Sequence, residues 1–364
     1  MKTKKNTFQR IPNSALLILT IVLFFSKIMV FLLIKNDYLD IRLGGGSDAG
    51  YYHGYAIGNF DWAVNLWPVM LRYLNDNNIY SRESISHIFL FLNLVVIPII
   101  VAKLSDIRFS ENQKYYFYIV LICLIYPTLF FFTFDIYRDV FMVLVFLVGC
   151  MTVKASLKSS KFPKFIIFFI ISVFLGLLLL GLRPYLGYAF ILSLFLWKIK
   201  FTKKRIYFLG TLYFIVLFIA NYIGLLESIT EYRSAFEEIE AGSTLGLDFS
   251  NPALFIPNFI LSFLGQMLGL YVTSPLALII LIIETLPFLF MLVYVFKNVR
   301  IADNFIRFLI VFFVVYSSVW LIGNDNLGTA VRLRMYNYLA VYISFFYILM
   351  QKDSFIKRSK VTNQ

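Results

Sequence analysis

Ten largely apolar stretches recur along the 364 residues, at 13–34, 85–103, 115–134, 136–153, 165–182, 185–198, 206–226, 275–296, 306–322 and 335–350. A helix needs about 20 apolar residues to cross the hydrocarbon of a bilayer. Such runs have few other ways to hide so much apolar surface, and the 60% hydrophobic content and mean hydropathy of +0.80 exceed what a soluble core of this length needs. The pattern predicts an all-α, polytopic integral membrane protein with about ten transmembrane helices, forming a single membrane domain over residues 1–364. The 41 Phe and 24 Tyr suit lipid contact and interfacial belts. Basic residues in 1–10 precede the first apolar run and no small-residue cleavage site follows it, so it reads as a first span rather than a signal. The stretch 61–74, with Trp62 and Trp67, is amphipathic and expected in the interface. The stretch 253–273 carries Pro257, Gly265 and Gly269, and three readings stay open for it: re-entrant, interfacial or spanning.

Charge divides the connecting segments. With the N-terminus inside, segments 1–12, 103–114, 154–164, 198–205, 297–307 and 351–364 hold 23 of the 33 Lys and Arg, the opposite segments hold nine, and Lys27 lies within a span. Positive charge marks the cytoplasmic side, so both termini are expected there. The outer elements are the loop 35–84 and the acidic segment 227–253, which holds Glu227, Glu231, Glu237, Glu238, Glu240 and Asp248. The acidic segment reads as a solvated amphipathic helix, with a lid as the alternative. Were 253–273 to cross, every downstream assignment would invert; the basic tail with Lys357, Arg358 and Lys360 argues against that.

The formal charge of +13 is parcelled into short loops, which argues against a nucleic-acid partner. Cys123 and Cys150 lie inside apolar runs and suggest neither a disulfide framework nor a metal site. The basic loops contain no phosphate-binding glycine loop, so no nucleotide cofactor is expected, nor any other.

The candidate chemistry falls in the opposite segments. The first loop contains Gly44, Gly45, Gly46, Ser47, Asp48, Tyr51, Tyr52 and His53. Its glycines permit close backbone approach to a ligand. Asp48 and His53 are candidate catalytic groups, histidine being suited to base work near neutral pH, and Tyr51 and Tyr52 are candidate sugar-stacking rings. His87, at the start of the second span, reads as structural. A tight turn holds Asp135, Arg138 and Asp139; charges so close to a membrane need a partner or a ligand, and an ion pair of Arg138 with Asp135 or Asp139 is the structural alternative. Arg183 precedes Pro184 at a helix-breaking corner, where a snorkelling arginine is the alternative. Arg332 and Arg334 follow a Gly/Asn-rich loop; two residues apart, they share a side if extended and diverge if helical. The guanidinium forks of Arg138, Arg183, Arg332 and Arg334 suit phosphate. Lys27 and Glu284 lie at similar depth within spans and are expected to form a buried structural pair.

In this order of features (the Asp48–His53 segment, Tyr126-Pro127, Tyr137-Arg138-Asp139, Leu182-Arg183-Pro184-Tyr185 and Gly328 to Arg334) the chain resembles Wzy-type O-antigen polymerases and, more distantly, the GT-C class of membrane glycosyltransferases. Such polymerases often carry their large outer loop in the C-terminal half, whereas here the first is longest. The resemblance implies a polymerase in the bacterial inner (cytoplasmic) membrane with its site facing the periplasm. It would transfer a growing glycan from undecaprenyl pyrophosphate to a lipid-linked oligosaccharide repeat unit, as in O-antigen or capsular polysaccharide synthesis. Its partners would be that lipid-linked oligosaccharide, membrane lipid and a chain-length regulator protein. Arg138, Arg183, Arg332 and Arg334 would hold pyrophosphate, and Asp48, His53 or Asp139 would act as base or orient the acceptor. Competing readings are a GT-C transferase adding one sugar from a polyprenyl-phosphate donor, a lipid-linked glycan flippase, and an acyltransferase. Concentration of the polar residues on one side disfavours the flippase, and the short basic loops disfavour the acyltransferase.

Overall fold

A computed structural model of the chain describes residues 11–39, 46–238, 243–272 and 274–361. Regular structure among them is helical, apart from one isolated antiparallel bridge between Thr244 and Asn326. The protein is an all-α polytopic membrane protein. Among the described residues, eight helices are long and apolar enough to cross a membrane. Two expected spans are shorter: 115–134 is split and 185–198 is a 13-residue helix. Pro127 explains the split, because it lacks the N–H that would continue the ladder and pushes Tyr126 into an extended conformation (ψ 100°).

In chain order the helices are α1 (Asn13–Lys35), α2 (Gly46–Ala56), α3 (Leu66–Asp76), α4 (Arg82–Leu104), α5 (Gln113–Ile125), α6 (Pro127–Phe131), α7 (Arg138–Lys158), α8 (Phe162–Leu182), α9 (Pro184–Leu196), α10 (Lys203–Tyr222), α11 (Glu227–Glu238), α12 (Pro252–Met267), α13 (Pro275–Lys297), α14 (Asn304–Gly323) and α15 (Leu327–Val361). They form two compact units, Met1–Thr152 with Gly181–Arg183, and Val153–Leu180 with Pro184–Gln364.

In the first unit α1 runs parallel to α5, with Asn13 bonded to Gln113 (3.4 Å) near one end and Lys27 reaching the Tyr126 carbonyl (3.5 Å) further along. Phe31 of α1 packs with Leu90, Leu94, Leu124 and Phe130. The glycine-rich run from Gly46 is the helix α2, not a loop; Gly54 is needed there because a Cβ would lie 2.4 Å from the Phe60 ring. Arg42, Gly44 and Gly45 lie outside the described residues. The expected interfacial segment is α3, begun by the Asn65 side chain accepting from Trp67 N–H (2.9 Å).

In the second unit α14 is central. Phe190 of α9 packs on Phe308 and Phe312, while Trp320 bonds Asn337 of α15 (3.0 Å). α13 runs parallel to α15, with Phe288 stacked on Tyr338 (3.9 Å) and Lys352 bonded to Asn298 (3.1 Å). α10 has none of its apolar window buried within the protein.

The open question over 253–273 is answered by its ends. Arg233 bonds the Leu247 carbonyl just before α12 (3.0 Å) and also the Asn324 carbonyl (2.6 Å). Gln266, at the other end of α12, bonds that same Asn324 carbonyl (2.8 Å). Leu247, five residues before α12, and Gln266, near its end, therefore lie at the same end of α14, so the chain between them leaves and returns rather than crossing. Gly269, at φ 61°, makes the turn that follows. Among the described residues, three π-helical turns interrupt the apolar helices, at Leu92–Val96, Phe263–Met267 and Leu281–Thr285. Each holds buried polar side chains: Asn93, Gln266, and Glu284 with Thr285. A π turn bulges the ladder locally and often marks a functional position.

Candidate functional site

In the first unit, the turn between α6 and α7 is fixed by sequence-distant groups. Trp67 of α3 donates its indole N–H to the Ile136 carbonyl (2.8 Å). Arg82, at the start of α4, grips Asp135 through both oxygens (2.8 and 2.5 Å). Burial works to raise the Asp135 carboxyl, but the Arg82 fork and the Ile136 N–H outweigh it and hold it below the usual range. Beside this pair, His53 Nδ1 and the Tyr80 hydroxyl are 2.8 Å apart, with the rings stacked. Burial pushes the Tyr80 phenol up to about 12, so it keeps its proton throughout the physiological range.

Asp139 and Arg183 form an ion pair at 3.6 Å, with side chains 0% and 7% exposed. That separation is electrostatic contact rather than a short hydrogen bond. Arg138 donates to the Leu182 carbonyl (2.6 Å), which ties the turn to the end of α8. Asp135 thus takes Arg82, and Asp139 takes Arg183. Arg138, Asp139 and Arg183, expected from separate segments, come together.

The second unit holds a separate buried polar network. Arg233, 2% exposed, pairs with Asp325, which also accepts from Gly246 N–H (3.0 Å). Gln266 joins Ser262 (2.7 Å) and Asn324. Arg334 donates to Glu284 (3.1 Å), and Tyr338 links Thr285 (3.0 Å) to the Met267 carbonyl (2.8 Å). Glu284, expected to pair with Lys27, takes Arg334 within the second unit; within the first unit Lys27 sits over the Phe130 ring (4.3 Å).

Other expectations need correction. Arg332 and Arg334 lie on the helix α15, two residues and about 200° apart, so they diverge. Arg334 is 2% exposed and engaged by Glu284, whereas Arg332 is half-buried. Tyr52 is 3% exposed, on the inward face of α2, and offers no open ring for stacking. Tyr51 is half-buried, donates to the Trp62 carbonyl and stacks on Phe60 (5.5 Å). Asp48 is half-buried in the first turn of α2. The acidic segment does form a helix, α11, with Glu240 outside the described residues.

Arg82, Tyr80, Arg233 and Asp325 were not expected in this role. Arg233 carried a signal, as a lone cation within a segment of acids. Arg82 carried none, because its partner lies 53 residues away. Comparison with protein-family models, curated proteins and solved structures found no match to the chain.

Proposed function

We propose that this protein is a glycan polymerase of the bacterial inner membrane that transfers a growing chain from undecaprenyl pyrophosphate to a lipid-linked repeat unit, at a site facing the periplasm. The observation that carries the reading is the convergence of Arg138, Asp139 and Arg183, beside a turn that also holds the Arg82–Asp135 pair. Several guanidinium groups near the ends of apolar spans suit a substrate whose lipid tail lies in the bilayer and whose pyrophosphate lies at its edge. The surplus of Lys and Arg in the opposite, basic segments agrees with an externally facing site.

In the reaction, an acceptor hydroxyl oxygen bonds to the donor's anomeric carbon. The bond from that carbon to the pyrophosphate oxygen breaks, and the lipid pyrophosphate leaves with the electron pair. Arg138 and Arg183 neutralise the charge that develops there. Arg334 is assigned a structural role, through Glu284. His53 takes the hydroxyl proton: Tyr80 occupies Nδ1, which leaves Nε2 for transfer. Asp139 orients Arg183, Asp48 orients the acceptor, and Tyr51 is the remaining ring for sugar contact.

The test is reconstitution of the purified protein in liposomes with an undecaprenyl-pyrophosphate-linked repeat unit. The expected product is a ladder of chain lengths. A single added increment would instead mark a transferase, and movement of intact substrate across the bilayer without a new bond would mark a flippase. Arg138→Lys and Arg183→Lys keep the charge but lose the fork, and each is expected to cut polymer yield about a hundredfold while the protein still elutes as a folded species.

A further inference from the structure

The hairpin of α2 and α3 carries a surface that none of the roles above uses. Its α3 helix lies across the ends of two helices long enough to cross a membrane: Trp67 donates to the Ile136 carbonyl, two residues before α7 begins, and Leu66 lies against Gly181 at the close of α8. Trp67, Pro68 and Leu71 form the buried side of α3. The other side is apolar as well. Val69 and Tyr73, at i and i+4, are both exposed, Tyr73 at 68%. The connection from α2 adds exposed Ile57, Phe60, Val64 and Trp62, the last at 73%. Of the two tryptophans expected at the interface, Trp67 turns inward and Trp62 outward.

Arg72 stands three residues after Val69, on the same face of α3. Its guanidinium lies over the Tyr55 ring of α2 (4.5 Å). Gly58, at φ 91°, brings the chain beside it: a Cβ there would lie 3.5 Å from Arg72 Nη2. A planar guanidinium stacked on a ring keeps its N–H edge available. Among the described residues that edge makes no hydrogen bond and no ion pair, and Asp76, one turn further along α3, does not take it. Arg82, Arg138, Arg183, Arg233 and Arg334 by contrast each engage a carboxylate or a carbonyl. Arg72 is thus half-buried and braced, with its donors unspent. Those donors match phosphate oxygens, which a guanidinium fork meets two at a time. Exposed tryptophan and tyrosine rings belong to the headgroup zone of a bilayer, and lipid phosphates lie there. The charge and the surface around it therefore call for the same occupant.

We propose that the outward face of the α2–α3 hairpin rests among lipid headgroups and that Arg72 holds a phospholipid phosphate there. The Tyr55 ring fixes the plane of the fork, and Trp62, Val64, Val69 and Tyr73 sink into the boundary between headgroups and chains. Trp67 carries that anchorage to the Ile136 carbonyl. The occupant is ordinary membrane lipid, so the inference stands whether or not the protein polymerises glycans.

The full chain is placed in nanodiscs of equal parts phosphatidylglycerol and a phosphate-free galactosyl diacylglycerol, with no undecaprenyl lipid present. Nitroxides on Trp62→Cys and Tyr73→Cys report depth, since the native Cys123 and Cys150 are buried. Both labels are expected to meet oxygen more, and a water-soluble nickel chelate less, than a label on Glu111→Cys, whose side chain is exposed in the α4–α5 connection. Accessibilities equal to that control overturn the docking. Native mass spectrometry then counts the lipids each protein retains. The parent is expected to keep one phosphatidylglycerol whose occupancy falls about fivefold in Arg72→Leu, with Arg72→Lys between them. An unchanged count in folded Arg72→Leu overturns the site. Release of that lipid by inorganic phosphate, but not by chloride of equal ionic strength, assigns the site to a free anion and overturns it as well. The depth readings leave Arg72 in place, so they decide the proposal where its variants fail to fold.

Discussion

The Arg334–Glu284 pair allows a prediction in which single and double substitutions separate. Both side chains are nearly inaccessible, at 2% and 0%, and their nitrogen–oxygen distance is 3.1 Å. At an effective dielectric of about 20, Coulomb's law gives an attraction of about 5 kcal/mol at that distance. Desolvation of both ions offsets most of it, and measured couplings between polar groups in membrane bundles average only about 0.6 kcal/mol, reaching about 1.7. The pair as a whole therefore adds little, whereas orphaning one member costs about 3–5 kcal/mol. The two orphans differ. A lone carboxylate in hydrocarbon can bind a proton; a guanidinium cannot shed one. Glu284→Gln should accordingly cost about 3–4 kcal/mol, Arg334→Met about 2 kcal/mol, and the double variant should fall within about 1 kcal/mol of the starting protein. Unfolding in mixed micelles of dodecyl maltoside and SDS, followed by tryptophan fluorescence, measures all three. A double variant as unstable as Glu284→Gln, or two equal single costs, would refute the reasoning.

Asp135 sets a pH dependence: its folded carboxyl is held below its unfolded value near 4, so the stabilisation is complete above about pH 5 and is lost as pH falls through the folded value. Thermal melts of Asp135→Asn should therefore lie below those of the parent at pH 6 and converge with them in acid. Gly187→Ala would put a Cβ 2.3 Å from the Leu180 backbone, where no rotamer change relieves it; a loss of about 2 kcal/mol or more in the same unfolding assay, or loss of folded yield, is expected. Cys123 and Cys150 are buried thiols, so a fluorogenic maleimide should label neither until the protein melts, and labelling against temperature should trace the unfolding transition.

The apolar runs were legible because a bilayer demands length and continuity, and both are local properties of sequence. Even Pro127 and Pro184 show their breaks directly. The polar partnerships were not, because they join distant positions. Depth along a helix suggested Lys27 for Glu284, but depth does not fix the direction in which a side chain points, and Glu284 accepts from Arg334 of α15. Arg332 and Arg334 were readable only as alternatives, since a Gly/Asn loop gives no sign that helix resumes at Leu327. The α2 helix ran against propensity: its glycines argue for a loop, yet the run from Gly46 to Ala56 is helical. The π turns have no signature in spacing, although each coincides with buried polar residues.

The non-crossing helix α12 also poses a problem of timing during synthesis. Its eight Leu, Ile and Phe residues would favour insertion as a span by about 2–5 kcal/mol on a translocon scale. The bonds that hold its far end are made by Ser262 to the Leu321 carbonyl and by Gln266 to the Asn324 carbonyl, 59 and 58 residues later in the chain. At about 5–20 residues per second, α12 leaves the ribosome roughly 3–12 s before those partners exist. Until then its earlier partner is Asp248, whose carbonyl accepts from Asn258. A nascent chain that stops short of residue 321 keeps the insertion drive and lacks the anchor, so the sidedness of everything after α12 depends on the segment between α11 and α12 having folded first.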